Sequence, residues 1–324
     1  MAKILNNNGI SLPLAMILLY DDYDYDPRPN YISATSLLKS TKQIVLGKRM
    51  ESDDYEVDVT AFTKARLGQA IHAMSETAWK SEKTLRKSLD LLGYPEDSHK
   101  KFMVNPLPSE NIPDDAIVIY LENRSERQFG EFVIGGKYDM VMKGRVKDIK
   151  STSTYTYTKS TNNHKYALQG SIYKWLNPEI VTDTIMDIEF IFTDWKQGLT
   201  NQEGYPEAPV KTIHIPLLST DEIEEFISNK LSDVLAHMMS VQDDIPPCTK
   251  EELWQDESVF QYFSKSENKR ASKNFTTHAD AYAYLTEKGT GVVREKLGQA
   301  KACNYCQVRP ICKQAEQLQF DNLL

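Results

Sequence analysis

The placement of the cysteines constrains this chain more than any other feature. Only four of its 324 residues are cysteine, and none falls in the first 247. Cys248, Cys303, Cys306 and Cys312 form the pattern C-x54-C-x2-C-x5-C, three of them inside ten residues. A C-x2-C step lets two thiolates converge on one ion or cluster. The opening Met1-Ala2-Lys3-Ile4-Leu5 and the asparagines after it hold no apolar h-region. No secretory signal is therefore expected, and the expected compartment is cytoplasmic and reducing. There, clustered thiols favour metal ligation over disulfides. Four thiolates suit either a tetrahedral Zn2+ site or a [4Fe–4S] cluster, and the thiols alone do not separate the two.

The rest of the chain is ordinary globular protein, 40% hydrophobic and 26% charged, able to bury a full core without staples. No apolar run nears the roughly 18 residues that span a bilayer, so no membrane partner is expected. Lys and Arg number 38 against 46 Asp and Glu, a net charge of −8, which weighs against a nucleic-acid partner. The acidic excess is partly local: Asp21, Asp22, Asp24 and Asp26 lie in a Pro-punctuated stretch at 20–31, expected as a surface loop.

Hydrophobic spacing sets the order of elements. An amphipathic helical segment is expected at 33–48. A longer helix is expected from about Thr60 to Leu92, with an apolar stripe at Leu67, Ile71, Met74 and Ala78. From Ile117 the period changes to two. Short strands are expected at 116–121, 132–134, 138–142 and 146–151, with tight turns at Gly135-Gly136 and Lys143-Gly144. A helix at 163–176, strands at 185–193 and 210–215, and a helix at 219–241 follow. Pro246-Pro247 marks a boundary before Cys248, and two short strands and a helix near 277–287 precede the last three cysteines. This order gives an α/β fold with a mixed central sheet.

The stretch 135–150, Gly-Gly-Lys-Tyr-Asp-Met-Val-Met-Lys-Gly-Arg-Val-Lys-Asp-Ile-Lys, carries the chemistry. Residues two apart on a strand point the same way, so Asp148 and Lys150 share a face. Asp139 belongs to the neighbouring strand of the same hairpin. Two carboxylates and an ammonium can thus converge, a trio suited to metal-assisted phosphodiester hydrolysis with Mg2+ or Mn2+. A solvated polar hairpin face would look the same, because D-x-K is a short string. Upstream, Gly68 and His72 stand four apart on one side of the first long helix, and the His ring could ligate a metal. Downstream, Gln169 and Tyr173 share a helix face, where Gln could bond a phosphate or the lysine and Tyr could stack on a base.

The ordered set G-x-x-x-H, G-G-K-Y-D, D-I-K and Q-x-x-x-Y resembles the PD-(D/E)XK nuclease superfamily, and its RecB-like branch most. The resemblance spans about 60–175 and 246–313. It implies a restriction-endonuclease-like core with a mixed sheet flanked by helices, plus a small cysteine-clamped C-terminal region. The implied segments are 1–59, a loop and helical region packed on the core; 60–245, the nuclease core; and 246–324, the cysteine region. By the same resemblance His72, Asp139, Asp148 and the main-chain carbonyl of Ile149 are metal ligands. Lys150 is the catalytic lysine, and Gln169 and Tyr173 are supporting or DNA-contacting residues. Glu122, in Leu-Glu-Asn-Arg, occupies the place of an additional acidic residue.

The terminal C-x2-C-x5-C resembles that of the iron–sulfur nucleases of this branch and of compact phage-encoded exonucleases. In those nucleases the first cysteine precedes the nuclease motifs, whereas Cys248 follows them. The implied activity is a Mg2+- or Mn2+-dependent deoxyribonuclease, an exonuclease on DNA ends or single strands in recombination, repair or phage DNA replication. A phage or host recombination protein is an implied partner. The alternative on the same fold is a catalytically silent DNA-binding accessory protein. A nuclease with net charge −8 is expected to segregate its charge into a basic groove at the metal site. Candidate cations are Lys147, Lys150, Lys159 and Lys165, with Lys265, Lys269, Arg270 and Lys273 in the cysteine region. Nothing in the sequence specifies an oligomeric state.

Overall fold

The computed structural model describes residues 3–21, 25–50 and 56–324. Asp22 and Asp24 of the acidic stretch, and the first two residues, lie outside the described residues. The chain forms two compact units, one of residues 3–38 and 56–229, the other of residues 39–50 and 230–324. This differs from the expected segments in where 39–50 belongs. Helix Thr41–Arg49 buries Ile44, Val45 and Leu46 among Val234, Ile245 and Val308, so its core partners come from far along the chain.

The first unit is built on a six-stranded sheet in the order Val210–Pro216, Ile185–Phe192, Arg145–Thr152, Met140–Met142, Ile117–Leu121, Phe102–Val104. Arg145–Thr152 runs parallel to Ile185–Phe192 and antiparallel to Met140–Met142, so the sheet is mixed. The expected hairpin turn at Lys143-Gly144 is present, both residues having positive φ (51° and 78°), as a tight two-residue turn requires. Helix Asn163–Leu176 packs on the sheet, with Tyr166 edge-on to Phe190 at 6.2 Å. The other face holds a charged knot. Asp187, nearly fully buried, meets Lys147 Nζ at 2.6 Å and His214 Nδ1 at 2.7 Å, while Arg145 reaches Asp183 at 2.7 Å.

Gly135 and Gly136 do not form the expected turn. They lie inside strand Phe132–Lys137, which pairs in parallel with Tyr31–Ser33 and antiparallel with Arg124–Phe129. Glycine is required there by close packing. A Cβ on Gly135 would stand 2.3 Å from the Tyr31 hydroxyl, and one on Gly136 3.0 Å from both Tyr173 and Leu176. The chain reverses instead at Gly130, with φ +57°.

The expected helix of about Thr60 to Leu92 is divided. A 3-10 turn, Val59–Phe62, leads into Thr63–Lys80, and Ser81 then caps a second helix, Glu82–Leu91, by accepting the Thr84 N–H. The apolar stripe also behaves unexpectedly. Leu67 and Met74 are 48% and 65% exposed, and no residue of Thr63–Lys80 is fully buried. The side carrying Gly68, Ile71, His72 and Trp79 faces inward instead: Trp79 packs on Ile119, Leu121 and Met140, and a Cβ on Gly68 would touch Ser151 Oγ at 3.6 Å. Among the described residues no helix is long and apolar enough to cross a membrane.

The second unit combines helix Thr41–Arg49, residues 230–237 of helix Thr220–His237, and a three-stranded antiparallel sheet of Val259–Phe263, Lys273–Phe275 and Val292–Lys296. Helix His278–Lys288 joins the last two strands. A small core of Leu253, Ala300, Cys303 and Ala315 carries Cys248 and Cys312 against it.

Candidate active site

The site begins where a strand ladder ends. Met140 pairs with Lys147, and no residue before Met140 continues that ladder. Asp139 stands just outside it, and its Oδ2 accepts the Ile149 N–H at 2.9 Å, taking the place of a strand partner. The same oxygen lies 3.3 Å from His72 Nδ1, presented by the inward side of helix Thr63–Lys80. Glu122 follows strand Ile117–Leu121 with φ +50°, a left-handed backbone uncommon for a non-glycine residue and often found at functional positions. Its N–H donates to the Asp139 carbonyl at 3.0 Å, and its carboxylate accepts Lys137 Nζ at 2.6 Å. His72, Glu122 and Asp139 each bring a ligand atom within 4.8 Å of the other two.

Asp148 and Lys150 share the face that the strand period dictates. Lys150 Nζ lies 2.6 Å from Asp148 Oδ2 and 5.9 Å from the centre of the Tyr166 ring. Asp148 is only 1% exposed, and apart from this ion contact its Oδ2 has no well-aligned hydrogen-bond donor. Burial pushes the Asp148 carboxyl up, an effect that Lys150 opposes and Asp139 reinforces. Burial pulls the Lys150 ammonium down, but Asp148 outweighs this and holds it above its ordinary value. The His72 ring is raised above its usual range, chiefly by its hydrogen bond to Asp139, with burial opposing.

The expected ligands His72 and Asp139 thus come together, and Glu122, expected as an additional acidic residue, completes the close group. Asp148 lies beside that group, its carboxylate paired with Lys150. Ile149 enters through its N–H, held by Asp139. Gln169 and Tyr173 sit deeper. Both are buried, Gln169 Nε2 donates to Tyr173 Oη at 2.9 Å, and the Tyr173 ring packs edge-on to Tyr138 at 6.3 Å. They support the strand above them and offer no open face to a base.

Two carboxylates and an imidazole form a donor set that a divalent cation accepts, and hard carboxylate oxygens suit Mg2+ or Mn2+. Of the expected basic residues, Lys147 is paired with Asp187 and Lys150 with Asp148. Lys265, Lys269, Arg270 and Lys273 are exposed, with no carboxylate partner among the described residues.

All four cysteines line one cavity of about 20 Å3 in the second unit, together with Lys42, Gln43 and Arg309. Burial and the neighbouring sulfurs push the Cys303 thiol up to about 11. Cys248 is also raised, by burial first, against its hydrogen bond with Ser40. A bound cation would reverse this, because a coordinated thiol gives up its proton. The sulfurs are spread more widely than the His72 group, no three of them lying within 4.8 Å of one another.

No protein-family profile matches the chain, and no curated protein matches it in sequence. Among solved structures the likeness is weak, as two of them illustrate. SSO0001 is 16% identical, over 69% of this chain and 87% of its own, with a TM-score of 0.38. A phage related exonuclease from Haemophilus somnus 129PT is 16% identical, over 53% of this chain and 81% of its own, with a TM-score of 0.25. At these scores neither likeness bears on fold or function, which rest on the geometry above.

Proposed function

We propose that this chain is a Mg2+- or Mn2+-dependent deoxyribonuclease of the PD-(D/E)XK type, acting as an exonuclease on DNA ends or single strands. Recombination, repair or phage DNA replication is the setting that fits such an activity. The observation that carries the proposal is the close group of His72, Glu122 and Asp139 beside the buried Asp148–Lys150 pair. Two further features support it: Asp139 is anchored by the Ile149 N–H, and the Asp148 Oδ2 is buried with only Lys150 for a partner.

A divalent ion held by these residues would polarise a phosphoryl oxygen and lower the pKa of a bound water. The protein's own part is positional. Asp139 is fixed from the strand side, and His72 from the helix side. Lys150, kept protonated by Asp148, offers a preorganised charge to the negative oxygens of a reacting phosphodiester. Gln169 and Tyr173 brace the Phe132–Lys137 strand that leads into Asp139.

The proposal includes a metal centre at Cys248, Cys303, Cys306 and Cys312 that clamps the second unit. The four-thiolate set suits a [4Fe–4S] cluster, with tetrahedral Zn2+ as the alternative. The test of the nuclease is single replacement, Asp148→Asn and Lys150→Ala, assayed on linear DNA with Mg2+ and with Mn2+. Each is expected to lose at least about a hundredfold in rate, as removal of one preorganised group at a reacting centre does. Unchanged cleavage in both would refute the assignment. Wild type that binds DNA but cuts nothing with either metal would favour the silent accessory protein.

A further inference from the structure

Helix Thr41–Arg49 begins with a complete capping box. Ser40 Oγ accepts the Gln43 N–H at 3.1 Å, and Gln43 Oε1 accepts the Ser40 N–H at 3.2 Å. A capping box needs nothing more from the glutamine than that one oxygen. Here the other end of the amide is also used. With Oε1 committed to the Ser40 backbone, Nε2 must point the opposite way, and it donates to Cys306 Sγ at 3.4 Å. Ser40 Oγ stands 3.2 Å from Cys248 Sγ and is itself buried. The box therefore touches the first and third of the four cysteines, across 208 and 263 residues of sequence. Between its two members sits Lys42, buried to 5% exposure, with Nζ bonded to the Gln242 carbonyl at 3.0 Å and its chain lining the same cavity as the cysteines. A buried lysine is rare without an anion nearby.

We propose that the turn Ser40–Gln43 is the outer shell of the four-cysteine metal centre, with Gln43 the residue that fixes the Cys306 sulfur. This rests on the four-cysteine assignment above and deepens it. A metal thiolate carries charge that N–H donors, a helix N-terminus and a buried cation all stabilise. Such partners orient the ligand and tune the metal. It also explains why 39–50 folds with the cysteine unit, and why the N3 residue is Gln where Glu would cap equally well. Glu at 43 would keep the oxygen that caps the helix and replace the N–H on Cys306 by a second oxygen.

Gln43→Glu thus separates the two roles. The full-length protein, wild type and Gln43→Glu, is purified without oxygen. Iron and zinc are measured per chain, and metal loss to excess chelator is followed by absorbance and by metal content. Thermal unfolding of the metal-free proteins is recorded alongside. The expected result is metal loss about tenfold faster or more in Gln43→Glu, with unchanged unfolding of the metal-free protein. Gln43→Met, which loses the cap but places no anion at Cys306, is expected to lie between the two in metal loss. Equal metal retention in wild type and Gln43→Glu would overturn the proposal and leave the centre itself standing. Wild type holding neither iron nor zinc would overturn the four-cysteine assignment and this proposal with it.

Discussion

Asp139 binds the backbone of Ile149, its Oδ2 accepting that N–H at 2.9 Å where the Met140–Lys147 pairing stops. One carboxylate thus ends a strand ladder and faces His72. The site is set by the fold's own hydrogen bonding, which keeps Asp139 in place before any ion or substrate arrives.

The His72 ring has opposite tasks with and without metal. Its pKa is raised by Asp139, so the metal-free protein keeps it protonated beyond the ordinary value of 6.5. A protonated ring cannot ligate. Divalent-metal affinity is therefore expected to rise with pH through and above that value. In the metal-free protein the sign is reversed: the His72–Asp139 pair stabilises at low pH, and that contribution is lost as pH rises through the raised pKa. Calorimetric Mn2+ titration between about pH 5.5 and 8.5 checks this. His72→Gln is expected to bind more weakly and to flatten the pH dependence.

Asp187 gives a second, independent pH signature, on the far face of the sheet. Burial favours its neutral form, but the hydrogen bonds from Lys147 and His214 prevail and hold its pKa below 3.8. Its contribution is therefore present above the unfolded value and is lost only as pH falls through the lowered folded value. Asp187→Asn is expected to cost about 1–2 kcal/mol near neutrality, because it removes the buried acceptor shared by Lys147 and His214. Urea unfolding of the two proteins should show that gap narrowing only below about pH 4.

Gly135 and Gly130 should respond in opposite ways to a side chain. Gly135→Ala drives a methyl into the Tyr31 ring and is expected to cost about 1–3 kcal/mol in urea unfolding. Gly130 has φ +57° and open space around its Cβ, so Gly130→Asn should change stability by less than about 1 kcal/mol. Had the pair Gly135-Gly136 formed the turn, the order would be the reverse.

The parts of the fold that were legible in the sequence are those with one dominant period. Strands Ile117–Leu121 and Arg145–Thr152 and helix Asn163–Leu176 stand where alternation and helical spacing place them. The shared face of Asp148 and Lys150 follows from the strand period alone. What was hidden depends on distant partners. Gly135 looks like turn chemistry until Tyr31 is seen packed on it. Helix Leu12–Leu19 was not anticipated, since its residues are apolar at almost every position and show no period. Helix Thr63–Lys80 carries a clear apolar stripe, yet it is the His72 side that turns inward, while Leu67 and Met74 are left exposed. Glu122 was marked only by the resemblance, as an additional acidic residue, and its left-handed backbone is what brings its N–H to the Asp139 carbonyl. Ser81 was the one readable marker of the helix break, as a capping serine followed by Glu82.

The most direct measurement is a metal titration of DNA cleavage by the full chain, on end-labelled linear DNA beside a closed circle. Wild type is compared with Asp139→Asn, which removes one charge from the close group while keeping its shape. The expected result is release of the label from linear DNA that requires Mg2+ or Mn2+, spares the circle, and falls at least about a hundredfold in Asp139→Asn. Cleavage that persists without divalent metal, or is undiminished in Asp139→Asn, would contradict the account.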